Sequence, residues 1–164
     1  MAIKTMKDLF VHTLRDVLYA ERQILKALPK MSRKAESDKL KKAFDSHHAE
    51  TEKQVERLEM IFGEIGEPAR GTKCEAIIGI IDEAEGQIEE ISDAEVRDAA
   101  MLASAQAVEH YEISRYGTLV AYAQQLGYSK NIQKLLSETL SEEKQADVKL
   151  SKLAESKINQ KAAA

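Results

Sequence analysis

Two glutamates, Glu109 and Glu112, lie on a face of a predicted helix that is otherwise apolar. The residues of this face recur at steps of three and four, the spacing that places side chains on one side of an α-helix. The apolar members are Leu102, Ala105, Tyr116, Leu119, Ala123 and Leu126. A carboxylate on such a face must take up a proton, pair with a cation or bind a metal, because an unpartnered buried charge costs several kcal/mol.

Polar residues interrupt the apolar faces of three other predicted helices as well. They are Glu21 in the first long helix, His47 and the neighbouring Glu50 in the second, and Glu143 and Asp147 in the fourth. Each set lies near the middle of its helix, and in an antiparallel bundle the middles of the helices meet at one level. The sequence therefore predicts that six carboxylates and one imidazole converge inside one bundle.

Six carboxylates at one level need positive charge nearby, and no lysine or arginine occupies the predicted apolar faces. Two metal cations would supply that charge, whereas protonating several mutually repelling acids is disfavoured at neutral pH. Oxygen ligands with at most one histidine suit iron, or alternatively manganese, better than zinc. The candidate ligands for two such ions are Glu21, His47, Glu50, Glu109, Glu112, Glu143 and Asp147.

Other polar residues near these positions have supporting roles in this interpretation. Gln54 and Asp147 are candidates to orient ligands, and Tyr19, Tyr111 and Tyr116 are candidates to relay electrons or to hold the carboxylates. The choice of ligand on the fourth helix depends on the helical phase. The apolar spacing aims Glu143 inward and turns Glu142 about 100° away.

The elements that must position these residues are four long helices and a short one. Two prolines, seven glycines and abundant Ala, Leu, Glu and Lys favour helix almost throughout. Sequences typical of helix starts begin at Thr5, Ser37, Ser92 and Ser129. Pro29 is expected to kink or end the first helix, and Gly63–Gly71 forms the clearest connector.

These features predict an all-α, antiparallel four-helix bundle with an additional short helix, residues 74–91, between the second and third long helices. At 164 residues the chain fits one domain, which we place at residues 1–158. Residues 159–164 have no apolar face and are expected to form a frayed C-terminal tail.

Composition also limits the partners. With 24 basic and 28 acidic residues and no basic block, a nucleic-acid surface has little support. No apolar run approaches the roughly 20 residues that cross a bilayer, and the N-terminus does not resemble a signal peptide. Cys74 is the only cysteine, which excludes an intrachain disulfide. We expect a cytoplasmic protein that binds neither nucleic acid nor membrane.

Five short motifs, spread over nearly the whole chain, resemble a known family. They are Tyr19-Ala20-Glu21-Arg22-Gln23, Glu50-Thr51, Val108-Glu109-His110-Tyr111-Glu112-Ile113, Tyr116-Gly117-Thr118-Leu119 and Glu142-Glu143-Lys144. Together they are similar to the YciE/YciF family of bacterial stress proteins. This resemblance implies a ferritin-like bundle with a rubrerythrin-like dimetal site and, commonly, a homodimer. The pair Glu109-x-x-Glu112 also resembles the double glutamate on the third helix of rubrerythrins.

Two departures from the ferritin-like pattern concern histidine. That pattern has Glu-x-x-His on the second and fourth helices, whereas this chain has His47-x-x-Glu50 and Glu143-x-x-x-Asp147. If the alignment of the fourth helix is shifted by one residue, Glu142-x-x-Gln145 stands where the ferritin-like pattern has Glu-x-x-His. A site with so little imidazole could hold metal more weakly, have a shifted redox potential or be vestigial.

Two functions of different classes follow. The first is a ferritin-like dimetal stress protein that oxidises Fe(II) or removes peroxide. A single cysteine leaves no rubredoxin-type iron site in the chain, so electrons would come from an external donor. The second is a helical structural or interaction protein in which the polar residues form a buried hydrogen-bond network.

Overall fold

The computed structural model describes residues 3–164, except for the side chain of Ser156. The helices are α1 (Met6–Lys34), α2 (Asp38–Ile65), α3 (Glu75–Glu90), α4 (Ala94–Gln125), α5 (Lys130–Leu153) and α6 (Asn159–Ala162). A π-helical turn, Ala154–Ile158, joins α5 to α6. No strand occurs within residues 3–164. The predicted all-α fold, with a short helix between the second and third long helices, is confirmed.

The four long helices form a ring in which α1 contacts α2 and α4, and α5 contacts α4 and α2. The short α3 packs on α4 and α1. Two hydrophobic clusters fill the bundle. The first hydrophobic cluster includes Leu28, Leu40, Met101 and Leu150. The second includes Phe10, Leu58, Leu119 and Leu136. The buried polar residues near the middle of each long helix lie where the two clusters meet, so they form one layer across the bundle, whereas Thr13 and Asp98 lie outside this layer.

Side chains cap the starts of α1, α4 and α5, whereas Ser37 at the start of α2 makes no such bond. Thr5 and Asp8 exchange bonds, with the Asp8 N–H 3.1 Å from Thr5 Oγ1 and the Thr5 N–H 2.9 Å from Asp8 Oδ2. The predicted cap at Ser92 is wrong by one residue. Asp93 caps α4, because its carboxylate accepts from the N–H groups of Glu95 and Val96, both at 2.9 Å.

Pro29 does not end the first helix, which continues to Lys34. A proline inside a helix costs about 3 kcal/mol through a lost hydrogen bond and a clash with the preceding turn. Packing opposes that cost, since Leu28 is buried and Met31 packs on the first hydrophobic cluster. Tertiary contacts on both sides of the proline therefore hold this part of α1 in helical form.

A buried carboxylate from α4 holds the start of α2. Asp98 is 4% exposed, and it accepts from the N–H of Glu36 at 2.8 Å and from that of Ser37 at 2.7 Å. These bonds satisfy backbone donors at a helix N-terminus, where negative charge is also favourable.

We expect Asp98→Ala to lower the free energy of unfolding by about 2–3 kcal/mol, because hydrogen bonds to a charged group contribute about 1.5–3 kcal/mol and two donors lose their acceptor. Denaturant unfolding measures the change. Asp82→Ala, at an exposed position of α3, is the control and should change stability by less than about 0.5 kcal/mol. Equal stability of the two variants would show that Asp98 contributes nothing to the start of α2.

The last residues differ from the expected frayed tail. Asn159–Ala162 is helical, and Lys161 Nζ lies 3.2 Å from Glu95 Oε1 on α4.

None of the helices found among residues 3–164 has the length and hydropathy that a membrane-spanning segment requires.

Candidate metal centre

Four side chains from three helices meet in the polar layer. They are His47 on α2, Glu109 and Glu112 on α4, and Glu143 on α5. Each offers one ligand atom, and these atoms all lie within 4.8 Å of one another. A single cation could reach all of them. The four side chains are buried, so the helices and not the solvent determine their positions.

Glu21 completes the group from α1. It is 0% exposed, and its Oε1 accepts a hydrogen bond from the Tyr116 hydroxyl on α4. Glu21 also lies near Glu112, whose pKa is raised by burial and by the charge of Glu21. We call Glu21, His47, Glu109, Glu112 and Glu143 the buried cluster.

Many lone pairs of the buried cluster are unused. Among the described residues, no hydrogen-bond partner reaches Glu21 Oε2, Glu109 Oε2, Glu112 Oε1, Glu112 Oε2, Glu143 Oε2 or either ring nitrogen of His47. His47 Nε2 is 3.3 Å from Glu109 Oε1 but is not aligned for a hydrogen bond. Leaving a buried polar atom unsatisfied costs about 1–3 kcal/mol. A set of five free oxygens and an imidazole fits metal cations, which accept such lone pairs.

Glu50 and Asp147 lie at the margin of the buried cluster. The Glu50 side chain is 30% exposed, with its Oε1 3.6 Å from Lys149 Nζ and its Oε2 3.9 Å from His47 Nδ1. The nearby His47 ring, together with Lys149, lowers the pKa of Glu50. The Asp147 side chain is 21% exposed, and its Oδ1 is 3.3 Å from His110 Nε2. The structure thus brings five of the seven candidate ligands together and places the other two at the margin, where Asp147 Oδ1 is buried without a hydrogen-bond partner.

The chain is similar in sequence to known proteins. Residues 5–163 match the family described as "Domain of unknown function (DUF892)". Protein YciF of Escherichia coli (strain K12) is 47% identical over 163 residues, covering 99% of this chain and 98% of that protein. The chain belongs to the DUF892 family. The YciF resemblance inferred from the five motifs is confirmed.

Two solved structures share the fold of this chain. YcfI from Rhodopseudomonas palustris superposes with a TM-score of 0.89 at 51% identity, covering 91% of this chain and 94% of that one. The crystal structure of the E. coli stress protein YciF gives a TM-score of 0.89 at 45% identity, covering 96% and 99%. The helical bundle is therefore common to this chain and these two proteins.

Burial raises the pKa values of the four glutamates in the buried cluster. Burial raises the pKa of Glu21 to about 8, and the neighbouring charge of Glu143 adds to the shift. Burial likewise raises the pKa of Glu109 to about 11, and Glu143 contributes again. The pKa values of Glu112 and Glu143 are also raised, mainly by burial. At neutral pH the metal-free cluster therefore holds protons, and an incoming cation must displace them.

Sequence reasoning missed one residue near the cluster. Arg57 on α2 forms a bidentate ion pair with Glu142 on α5, at 2.6 and 2.7 Å. Gln54 donates to both Glu142 and Glu143, which agrees with the orienting role predicted for it. The spacing of Gln54 and Arg57, three residues apart on one helix, was the available signal, since residues so spaced share a face.

Proposed function

We propose that this DUF892 protein is a dimetal-carboxylate protein that binds two iron ions, or alternatively two manganese ions, within one chain. The observation that carries the proposal is the set of unpaired, buried carboxylate oxygens in the buried cluster. These oxygens come from α1, α4 and α5 and the His47 ring comes from α2, so that all four long helices contribute, as they do where helical bundles hold pairs of metal ions. An oxygen-rich set with one imidazole favours iron or manganese.

The glutamates of the buried cluster differ in the number of oxygen atoms that are free to bind a cation. Both oxygens of Glu112 are free, so it could contact two ions, whereas Tyr116 occupies one oxygen of Glu21 and leaves the other available. Gln54 does the same for Glu143. Glu109 has one free oxygen and lies against His47. Bound iron would supply the electrons for reducing dioxygen or peroxide, and oxidation of Fe(II) or removal of peroxide is the activity that we propose.

The size and lining of a cavity beside the buried cluster suit a small, uncharged oxidant. It has a volume of about 60 Å³, lies between α1, α3 and α4, and has His47 among its lining residues. Its other walls are largely aliphatic, including Ile24, Leu28, Ala105 and Val108. Dioxygen or hydrogen peroxide is small and neutral enough to cross such a lining. A reductant too large for this cavity would act as the external electron donor from outside the bundle.

We expect protein purified without chelators to carry about two metal ions per chain, because the cluster offers five unpaired carboxylate oxygens and an imidazole, which cations can bind once they displace the protons. Elemental analysis of the pure protein gives the content, and titration of chelator-treated protein with Fe(II) under anaerobic conditions or with Mn(II) gives the stoichiometry. Protein that contains no metal and takes up neither ion, nor zinc, would contradict the proposal.

That outcome would favour the second candidate, a structural or interaction protein whose cluster is a protonated hydrogen-bond network. The raised pKa values of the four glutamates make such a network physically reasonable. The R. palustris relative YcfI is described as a candidate structural protein. The homodimer that the family resemblance implies also stays a prediction.

A further inference from the structure

A chain of polar contacts leads from the surface of α2 to the buried cluster, and it begins at Arg57. The guanidinium holds Glu142 through two bonds, Nη1 to Oε2 at 2.6 Å and Nη2 to Oε1 at 2.7 Å. Its Nη1 also lies 3.2 Å from Thr139 Oγ1. Both oxygens of Glu142 are thus occupied, which fixes the carboxylate against α2.

Gln54 forms the next link. It lies one turn before Arg57 on α2 and is 1% exposed. Its amide nitrogen donates to Glu142 Oε2 at 3.2 Å and to Glu143 Oε1. An ionised carboxylate only accepts hydrogen bonds, so a Glu142 held by Arg57 requires Gln54 to present its NH2 group and not its carbonyl oxygen. The second amide hydrogen is then directed to Glu143.

We propose that Arg57 is a positioning residue for Glu143, acting through Glu142 and Gln54. The three contacts keep Glu143 Oε1 occupied and leave Oε2 available to a cation. This inference rests on the proposed metal-binding function and adds a residue that does not itself touch the buried cluster. The partly exposed ion pair between Arg57 and Glu142 would thus influence the affinity and the geometry of the metal centre.

The charge of Arg57 supports the same role. Glu142 repels the glutamates of the cluster, and its charge is among the causes of the raised pKa values of Glu21 and Glu143. Arg57 places a positive charge directly on Glu142. Without Arg57, the uncompensated carboxylate would compete for the amide hydrogens of Gln54, and the orientation of Glu143 would no longer be fixed.

The simpler alternative is that Arg57 only clamps α2 to α5. The chain offers a matched control, because Arg15 on α1 pairs with Glu67 through Nη2 and Oε2 at 3.0 Å. The exposed fractions of the two side chains are 18% and 31%, the same as for Arg57 and Glu142. A purely structural role predicts that loss of either arginine changes stability alone.

The test compares Arg57→Met and Arg15→Met with the full-length parent, each stripped of metal by chelator. Mn(II) affinity is measured from the electron paramagnetic resonance signal of free Mn(II), and ligand geometry from the visible absorption of Co(II)-loaded protein. We expect Arg57→Met to weaken Mn(II) binding about 10- to 100-fold and to alter the Co(II) spectrum, the effect typical of lost support to a metal ligand. Arg15→Met should leave both unchanged.

Three further variants test the order of the links. Arg57→Lys, which keeps the charge but loses the bidentate geometry, should recover part of the affinity. Gln54→Leu should weaken binding at least as much as Arg57→Met. The double variant should be no weaker than Gln54→Leu alone, because both changes break one chain of contacts.

The outcomes separate the two proposals. If the parent binds Mn(II) and Arg57→Met binds it equally well with the same Co(II) spectrum, the role of Arg57 is refuted and the metal function stands. An equal loss in Arg15→Met, or fully additive losses in the double variant, also refutes it. If the parent binds no metal, both proposals fail together.

Discussion

Glu143→Ala is expected to abolish metal binding, whereas Glu142→Ala, one residue earlier, is expected to weaken it. Glu143 is 0% exposed and has a free Oε2 within the buried cluster. The Glu142 side chain is 31% exposed and is held by Arg57. Removing Glu143 deletes a ligand, while removing Glu142 deletes only a contact that orients it. The expected loss for Glu142→Ala is therefore about 10- to 100-fold in affinity.

Calorimetric titration with Mn(II) measures both variants against the parent. Glu138→Ala is a suitable control, because Glu138 lies one turn away on the same face and its carboxylate is 3.9 Å from Arg57 Nε without contacting Gln54. Its affinity should match that of the parent. A dispensable Glu143 together with an essential Glu142 would mean that the inward direction of α5 is wrong by one residue.

Glu112→Gln should raise the stability of the metal-free protein and remove much of the stabilisation that metal provides. Without metal, folding at neutral pH must either bury the Glu112 charge or take up a proton, since burial raises its pKa well above the ordinary value. Glutamine has a similar shape and needs neither. We expect a gain of about 1–3 kcal/mol in unfolding free energy in chelator.

With metal bound, the parent should be more stable than Glu112→Gln. A ligand that binds only the native state adds about 2.7 kcal/mol at a hundredfold excess over Kd, and the parent should gain this amount. The variant should gain much less, because Glu112 has both oxygens free for cations. Urea unfolding of both proteins in chelator and in Mn(II) provides the comparison. Equal gains on adding metal would show that Glu112 is not a ligand.

Much of the fold could be predicted because its determinants are local. Apolar spacing identified the long helices, and the capping residues Thr5 and Ser129 lie at their starts. The predictions of helix ends were wrong or incomplete where contacts between residues distant in the sequence determine whether the helix continues. Helix α1 passes through Pro29 because its neighbours on both sides pack against other helices, and the start of α2 depends on Asp98, about 60 residues away.

The candidate site shows the same division. Glu21, Glu109, Glu112 and Glu143 occupy inward positions of the helical repeat, so an interrupted apolar face was enough to find them. Glu50 precedes the inward Thr51, and the rotation of about 100° per residue carries its side chain toward the surface.

The contact of Arg57 with Glu142 could not be predicted in this way. The two residues are 85 positions apart, and their meeting depends on how α2 and α5 are rotated against each other. A long side chain at the edge of a helix face has no periodic signal that names its partner.

The polar layer between the two hydrophobic clusters also sets the axial register of the bundle. A slide of one helix by a single turn, about 5.4 Å, would carry its glutamate into aliphatic surroundings and bring an apolar side chain against the remaining carboxylates. Apolar residues alone tolerate such slides, because one leucine contact resembles the next. The acidic residues that would hold metal therefore also select one alignment of the four helices over its neighbours.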